Sequence, residues 1–225
     1  MAYIVAALLA IAGVIAYRRG LTRQREAYID NFVFHPAVLN KFRVVRPNLT
    51  EEQEQLVFAA LRDYFQMCRM AGRRMVSMPS QVVDDAWHAF ILFTRGYEQF
   101  CSRAFGRFLH HTPAEAMSSP SMAQQGIKRA WRLACARDGV NPSHPSTLPL
   151  LFSIDRDLKI ENGFHYVSDC SNEIRRSDTS GNYCASHIGC SSGCGGDSGS
   201  GSGDASSCDS GSDGGGCGGG CGGGD

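Results

Sequence analysis

The 49 residues from Ser177 to Asp225 contain no lysine or arginine, and the 16 from Ala2 to Tyr17 contain no charged residue of either sign. Within residues 21–170 there is no glycine-rich phosphate loop, no Gly-x-Ser-x-Gly elbow and no His-Glu-x-x-His pair. Those absences leave no complete catalytic set of a common kind. Net charge is also lacking, because 22 Lys+Arg balance 22 Asp+Glu. Taken over the whole chain, that excludes a strongly basic nucleic-acid binder and an acidic solvating chain. The zero is a cancellation, however. Residues 1–176 carry all 22 basic and 16 of the acidic residues, a net +6, and the remainder carries six Asp, a net −6.

The uncharged stretch Ala2–Tyr17 reads as a membrane anchor. Sixteen helical residues span about 24 Å, somewhat less than the roughly 30 Å hydrocarbon core. Arg18 and Arg19 can snorkel to cover the difference, and Tyr3 and Tyr17 stand where interfacial aromatics belong. A secretory signal peptide is the rival reading, with Ala10 and Ala12 resembling a cleavage site. It calls for a positive segment before the apolar run, and no Lys or Arg precedes Arg18. A buried core helix is the third reading. Arg18, Arg19, Arg23 and Arg25 follow the span, so the positive-inside rule predicts a single pass with the N-terminus outside and the domain in the cytoplasm. A cytoplasmic chain keeps its thiols reduced, which directs the ten cysteines toward metal or free thiol rather than disulfides.

The expected layout is an anchor over 1–20, a mainly α domain over 21–170 and a disordered tail over 171–225. Pro36 predicts the first turn of a short helix through Val45. Thr50-Glu51-Glu52-Gln53 has capping-box spacing, and the helix behind it places Val57, Leu61, Tyr64, Phe65 and Cys68 on one face, with Gly72 as its stop. Pro79-Ser80 opens the most strongly amphipathic segment, expected as one helix to about Ala104 with Val83, Trp87, Phe90, Ile91, Thr94, Tyr97, Cys101 and Ala104 on its apolar face. Thr112-Pro113-Ala114-Glu115 is a second capping box. A further helix carries Ile127, Trp131, Ala134 and Cys135 and ends at Gly139. Leu150–Leu158 forms a last short helix. Asn162-Gly163 suggests a small hairpin between 158–161 and 164–167.

Asp84 and His88 are four apart and share a helix face. A carboxylate beside an imidazole makes a general base or orients a metal ligand, and it also makes a plain surface ion pair. Trp87 flanks this pair. Cys101 lies about 20 Å from His88 along a continuous helix and is expected as a core thiol. A site joining His88 to His110 requires that helix to break, with Gly96 as the hinge. His110 and His111 precede a capped helix start, so they are either binding residues or junction residues. Arg73-Arg74 and Arg175-Arg176 read as solvated pairs, and no nucleic-acid partner is expected.

The run Val83-Asp84-Asp85-Ala86-Trp87-His88-Ala89-Phe90, with Tyr97, Cys101, Gly106 and Leu109-His110-His111, resembles bacterial relatives of the glycine-rich domain-containing protein family. The resemblance covers roughly residues 30–170. It implies no established catalytic activity. Plant members are associated with development and stress responses, and some carry an RNA-binding module that has no counterpart here. Longer members show Trp-His-x-His, whose second His position is Phe90 in this chain. The resemblance singles out Asp84, Trp87, His88 and His110.

After Arg176, 30 of 49 residues are Gly or Ser. Such a composition buries too little surface to offset chain entropy. Cys190-x3-Cys194 and Cys217-x3-Cys221, with His187 nearby, offer a weak clamp for zinc or another soft metal. Two function classes follow. One is a membrane-anchored binding or scaffold module taking a protein or small ligand, with residues 2–17 as its membrane partner. The other is a hydrolase-type enzyme using Asp84 and His88, with His110 or His111 as electrophile or ligand.

Overall fold

A computed structural model describes residues 2–111, 120–168, 183–184 and 188. The chain divides into two units, Met1–Gly193 and Cys194–Asp225, and the second falls wholly outside the described residues. So do the second capping box at 112–115 and the four tail cysteines Cys190, Cys194, Cys217 and Cys221.

Seven helices make up about two thirds of the described residues: α1 (Ala2–Asp30), α2 (Pro36–Val45), α3 (Glu51–Ala71), α4 (Gln81–Ile91), α5 (Thr94–Phe105), α6 (Pro120–Asp138) and α7 (Leu150–Asp157). The protein is mainly α, as its periodicity predicts.

Helix α1 has two halves of different chemistry. Its apolar side chains from Tyr3 to Tyr17 are all exposed, on every face. It is long and apolar enough to cross a membrane. The helix then continues without interruption into the domain, where Ile29 is fully buried. There the Gln66 side-chain amide donates to the Glu26 carbonyl (2.9 Å) and to Asp30 Oδ1 (2.6 Å). The Arg62 guanidinium donates to the Phe32 carbonyl (3.0 Å) and lies over the Phe34 ring. A ladder of polar contacts therefore fastens the end of α1 to α3.

Local chemistry sets the helix ends as expected. His35 Nδ1 accepts from the Ala37 N–H, with Pro36 in the first turn of α2. Thr50 and Gln53 form the reciprocal capping box of α3. Gly106 closes α5 in the left-handed region (φ +69°), and a Cβ there would collide with the Arg25 side chain.

Helix α3 is central. Val57, Leu61, Tyr64, Phe65 and Cys68 are buried, and so are Phe58, Ala60, Gln66 and Met67, because neighbours cover more than one face. Phe65 packs against Phe100 (4.8 Å between ring centroids), Trp87 (6.1 Å), Phe105 (6.2 Å) and Phe90 (6.3 Å). These aromatic contacts tie α3, α4 and α5 into one core.

Two sequence expectations are corrected. The single helix from Ser80 to Ala104 is two helices with a corner at Leu92-Phe93, and Gly96 lies inside α5 rather than at the hinge. Phe93 leaves the helical region (φ −83°, ψ 60°) while its N–H donates to the Phe90 carbonyl (3.0 Å) and its carbonyl accepts from Tyr97 (2.8 Å). The physical reason is packing. On one straight helix Phe90 and Phe100 would stand about 15 Å apart along the axis; the corner brings their rings to 5.3 Å.

The hairpin at Asn162-Gly163 is also absent. Tyr166–Val167 (β1) pairs in parallel with Tyr183–Cys184 (β2). The 158–163 segment instead wraps the end of α7, with the Ile160 N–H on the Asp155 carbonyl (2.8 Å) and the Gly163 N–H on the Ile160 carbonyl (3.0 Å). A Cβ at Gly163 would lie 2.7 Å from the Asp155 Cβ. This close approach, rather than a hairpin turn, is what the glycine serves.

Candidate functional site: an Asp-His-His cluster on helix α4

Helix α4 is held from both sides. At its start, Ser80 Oγ accepts from the Val83 N–H (3.3 Å) and donates to Asp155 Oδ1 (2.7 Å). The Asp155 carboxylate, 2% exposed, also accepts from the N–H groups of Gln81 (2.7 Å), Val82 (3.2 Å) and Phe164 (2.9 Å). A carboxylate at this place satisfies orphan N–H donors and meets the positive end of the helix dipole. On another side, Asp85 pairs with Arg46 at the end of α2, at 2.6 and 2.7 Å. These contacts fix the rotation of α4 and leave Asp84 and His88 facing a different neighbour.

That neighbour is His111. Asp84 Oδ1 lies 3.0 Å from His111 Nε2, and Asp84 Oδ2 lies 3.4 Å from His88 Nδ1. The two imidazole centroids are 4.4 Å apart. One donor atom from each of the three residues falls within 4.8 Å of the others. The Asp84 side chain is 21% exposed, that of His111 13% and that of His88 50%. The cluster is thus a half-covered site with one open side.

Gly106, Trp87, Tyr97 and Leu109 bring His111 there. Gly106 turns the chain out of α5. The Trp87 indole N–H donates to the Tyr97 hydroxyl (3.1 Å), which donates in turn to the Leu109 carbonyl (2.6 Å). This relay pins the 107–111 strap against α4. The Trp87 ring then meets the His111 ring edge-on at 4.5 Å. At 3% exposure, Trp87 is a wall behind His111 and not a surface for ligand.

The sequence-picked residues therefore separate. Asp84, His88 and His111 come together. His110 points outward and rests against Phe108 at 4.9 Å. Cys101 is fully buried, as expected of a core thiol, and burial raises its pKa. Burial pushes the Cys68 thiol up to about 12. Both sulfurs pack as small apolar groups in the core. Asp155, Tyr97 and Leu109 support the site without having been singled out. Ser80 before the apolar run was a local cue to a capped helix start, but nothing near Asp155 in the sequence marks it as the second cap.

A family model described as UCP032817-like matches residues 24–188, most of the chain, and the protein belongs to that family. The match includes α4, the strap and Asp155 and begins after the apolar half of α1. No curated protein and no solved structure matches the chain.

Proposed function

We propose that this is a membrane-tethered binding module, with α1 as a single-pass anchor and the helical domain held at the cytoplasmic face. The observation that carries the reading is the contrast within α1. A bare, wholly apolar segment runs without a break into a segment packed on α3 and α5. Bare apolar surface on all sides of a helix suits lipid. The arginines from Arg18 to Arg25 favour the orientation with the N-terminus outside. Membrane fractionation of the full chain tests this. The chain is expected to resist carbonate extraction, with an intact N-terminus and a C-terminal reporter inaccessible to protease added outside the cell. A processed N-terminus would establish the signal-peptide reading instead, and carbonate release of an unprocessed chain would remove the anchor.

In this reading the Asp84, His88 and His111 shelf is where a small ligand or protein partner engages the domain. The kinship to glycine-rich domain-containing proteins belongs here too, carried by the Val83–Phe90 run. Weak soft-metal binding by Cys190, Cys194, Cys217 and Cys221 is a separate property of the tail, read from its composition. Equal metal content with those four cysteines replaced by serine would remove it.

A second reading, a hydrolase-type enzyme, is favoured by one observation: Asp84 has a half-exposed imidazole on one oxygen and a second imidazole on the other. His88 would act as base, Asp84 as its orienting partner and His111 as electrophile or ligand. Turnover of a panel of esters and phosphoesters, lost in His88→Ala, tests it; a panel left untouched by the parent protein argues for the binding module alone.

A further inference from the structure

We infer that Asp84, His88 and His111 form a binding site for one divalent transition ion of the zinc class, with a further coordination position open to water or ligand. The inference rests on the reading of this trio as the working site of the domain. Two imidazole nitrogens and one carboxylate oxygen are a donor set that suits such ions, and three protein ligands with an open position is the arrangement of exchangeable or catalytic centres.

Distances support it. A tetrahedral ion with ligands at about 2.1 Å has ligand atoms about 3.4 Å apart along each edge. One edge is already close: Asp84 Oδ1 lies 3.0 Å from His111 Nε2. His88 Nδ1 lies 3.4 Å from the other carboxylate oxygen, Oδ2, and one donor atom from each of the three residues falls within 4.8 Å of the others. Rotation about the side-chain torsions would bring His88 Nδ1 and Oδ1 onto the remaining edges. The ion would bind the lone pairs of neutral imidazoles, each keeping its single N–H on the opposite ring nitrogen, together with one carboxylate oxygen. His88 binds through Nδ1 and His111 through Nε2, the nitrogens already turned toward Asp84.

The frame around the trio is arranged to hold its positions. Asp84 and His88 stand one turn apart on a helix fixed by Ser80, Asp155 and Arg46. His111 comes from a strap held by Tyr97 and backed by Trp87. Rigid placement of ligands from two segments lowers the ordering cost of binding. The half-exposed edge of His88 leaves the approach to an ion open.

The site differs from the tail cysteines in donor chemistry, which makes the two separable. The test uses the full chain in detergent, stripped with chelator, with the six cysteines after Arg176 replaced by serine. Co2+ is titrated as a visible-absorbing stand-in for Zn2+, followed by Zn2+ competition. One Co2+ per chain is expected, with a nitrogen/oxygen ligand-field spectrum and no thiolate charge-transfer band. His88→Ala and Asp84→Asn should each weaken binding by about 10-fold or more. His88 is half exposed, so its replacement leaves the fold intact by circular dichroism and keeps the test valid even if a His111 variant unfolds. No uptake by the parent at millimolar Co2+, or equal uptake by both variants, overturns the inference. Turnover that needs His88 yet persists after chelation would overturn the ion and leave the site; stoichiometric uptake without turnover supports the ion and removes the hydrolase.

Discussion

Asp155 reaches the first turn of α4 from outside the helix, is 2% exposed, and has four donors on its two oxygens. Asp84 is carried by that same turn, keeps a fifth of its side chain in water, and faces two imidazoles. The first carboxylate is saturated by groups that cannot leave, backbone N–H donors above all. The second is partnered by groups that can rotate, titrate or accept an ion. Saturation by backbone marks a carboxylate that builds the fold, and pairing with mobile titratable side chains marks one available for chemistry.

The comparison breaks most readily at Asp155. Asp155→Asn places an NH2 among N–H donors and should cost about 2–4 kcal/mol in chemical denaturation. A cost below about 1 kcal/mol would show that the buried carboxylate is not the clamp of α4. Tyr97→Phe tests the connection between frame and site. It removes the Leu109 pin and the Trp87 acceptor, for about 1–2 kcal/mol, and it should weaken Co2+ binding several-fold through a residue that does not touch the ion. Unchanged binding would mean that the strap holds His111 without that relay. Asp84→Asn sharpens the contrast from the other side, with less than about 1 kcal/mol lost in the same denaturation experiment. If it destabilises as much as Asp155→Asn, the two carboxylates are not different in kind.

A third carboxylate supplies the smallest effect. Partial desolvation, then the charge of Asp63, raises the pKa of Asp138. The native state therefore keeps this proton to higher pH than the unfolded chain does, so the group lowers stability as pH rises through its folded value. Asp138→Asn should give a slightly higher melting temperature at pH 7. The gain should vanish near pH 3, below the ordinary Asp value of about 3.9, where the carboxyl is protonated in both states. A gain that survives at pH 3 would point to packing instead of charge.

Much of this is legible in the sequence. Pro36 in the first turn of α2, the caps at Thr50 and Ser80 and the stops at Gly72, Gly106 and Gly139 lie where residue type and spacing place them. Cys101 and the α3 face are buried as periodicity predicts. The Asp84/His88 pair was visible as an i, i+4 spacing. His111 stood only beside His110, as a binding residue, electrophile or ligand, and spacing could not join it to the pair, because a straight helix puts its end near Gly106 about 27 Å from His88. No proline or glycine marks the corner at Leu92-Phe93, so no local cue announced it.

What the sequence determined alone is short in range: helix starts and stops, the apolar face of each helix, and a bare apolar span preceding a cluster of arginines. These depend on groups within about one helical turn of each other, where residue type dictates geometry. Tertiary structure decided the rest. The contact between Asp84 and His111 crosses 27 positions, and those of Asp155 with Ser80, Gln81 and Val82 cross 73 to 75. The corner that makes the first possible forms because Phe90, Phe100 and Phe65 bury their rings together. Burial is a property of the assembled core and has no spacing to read.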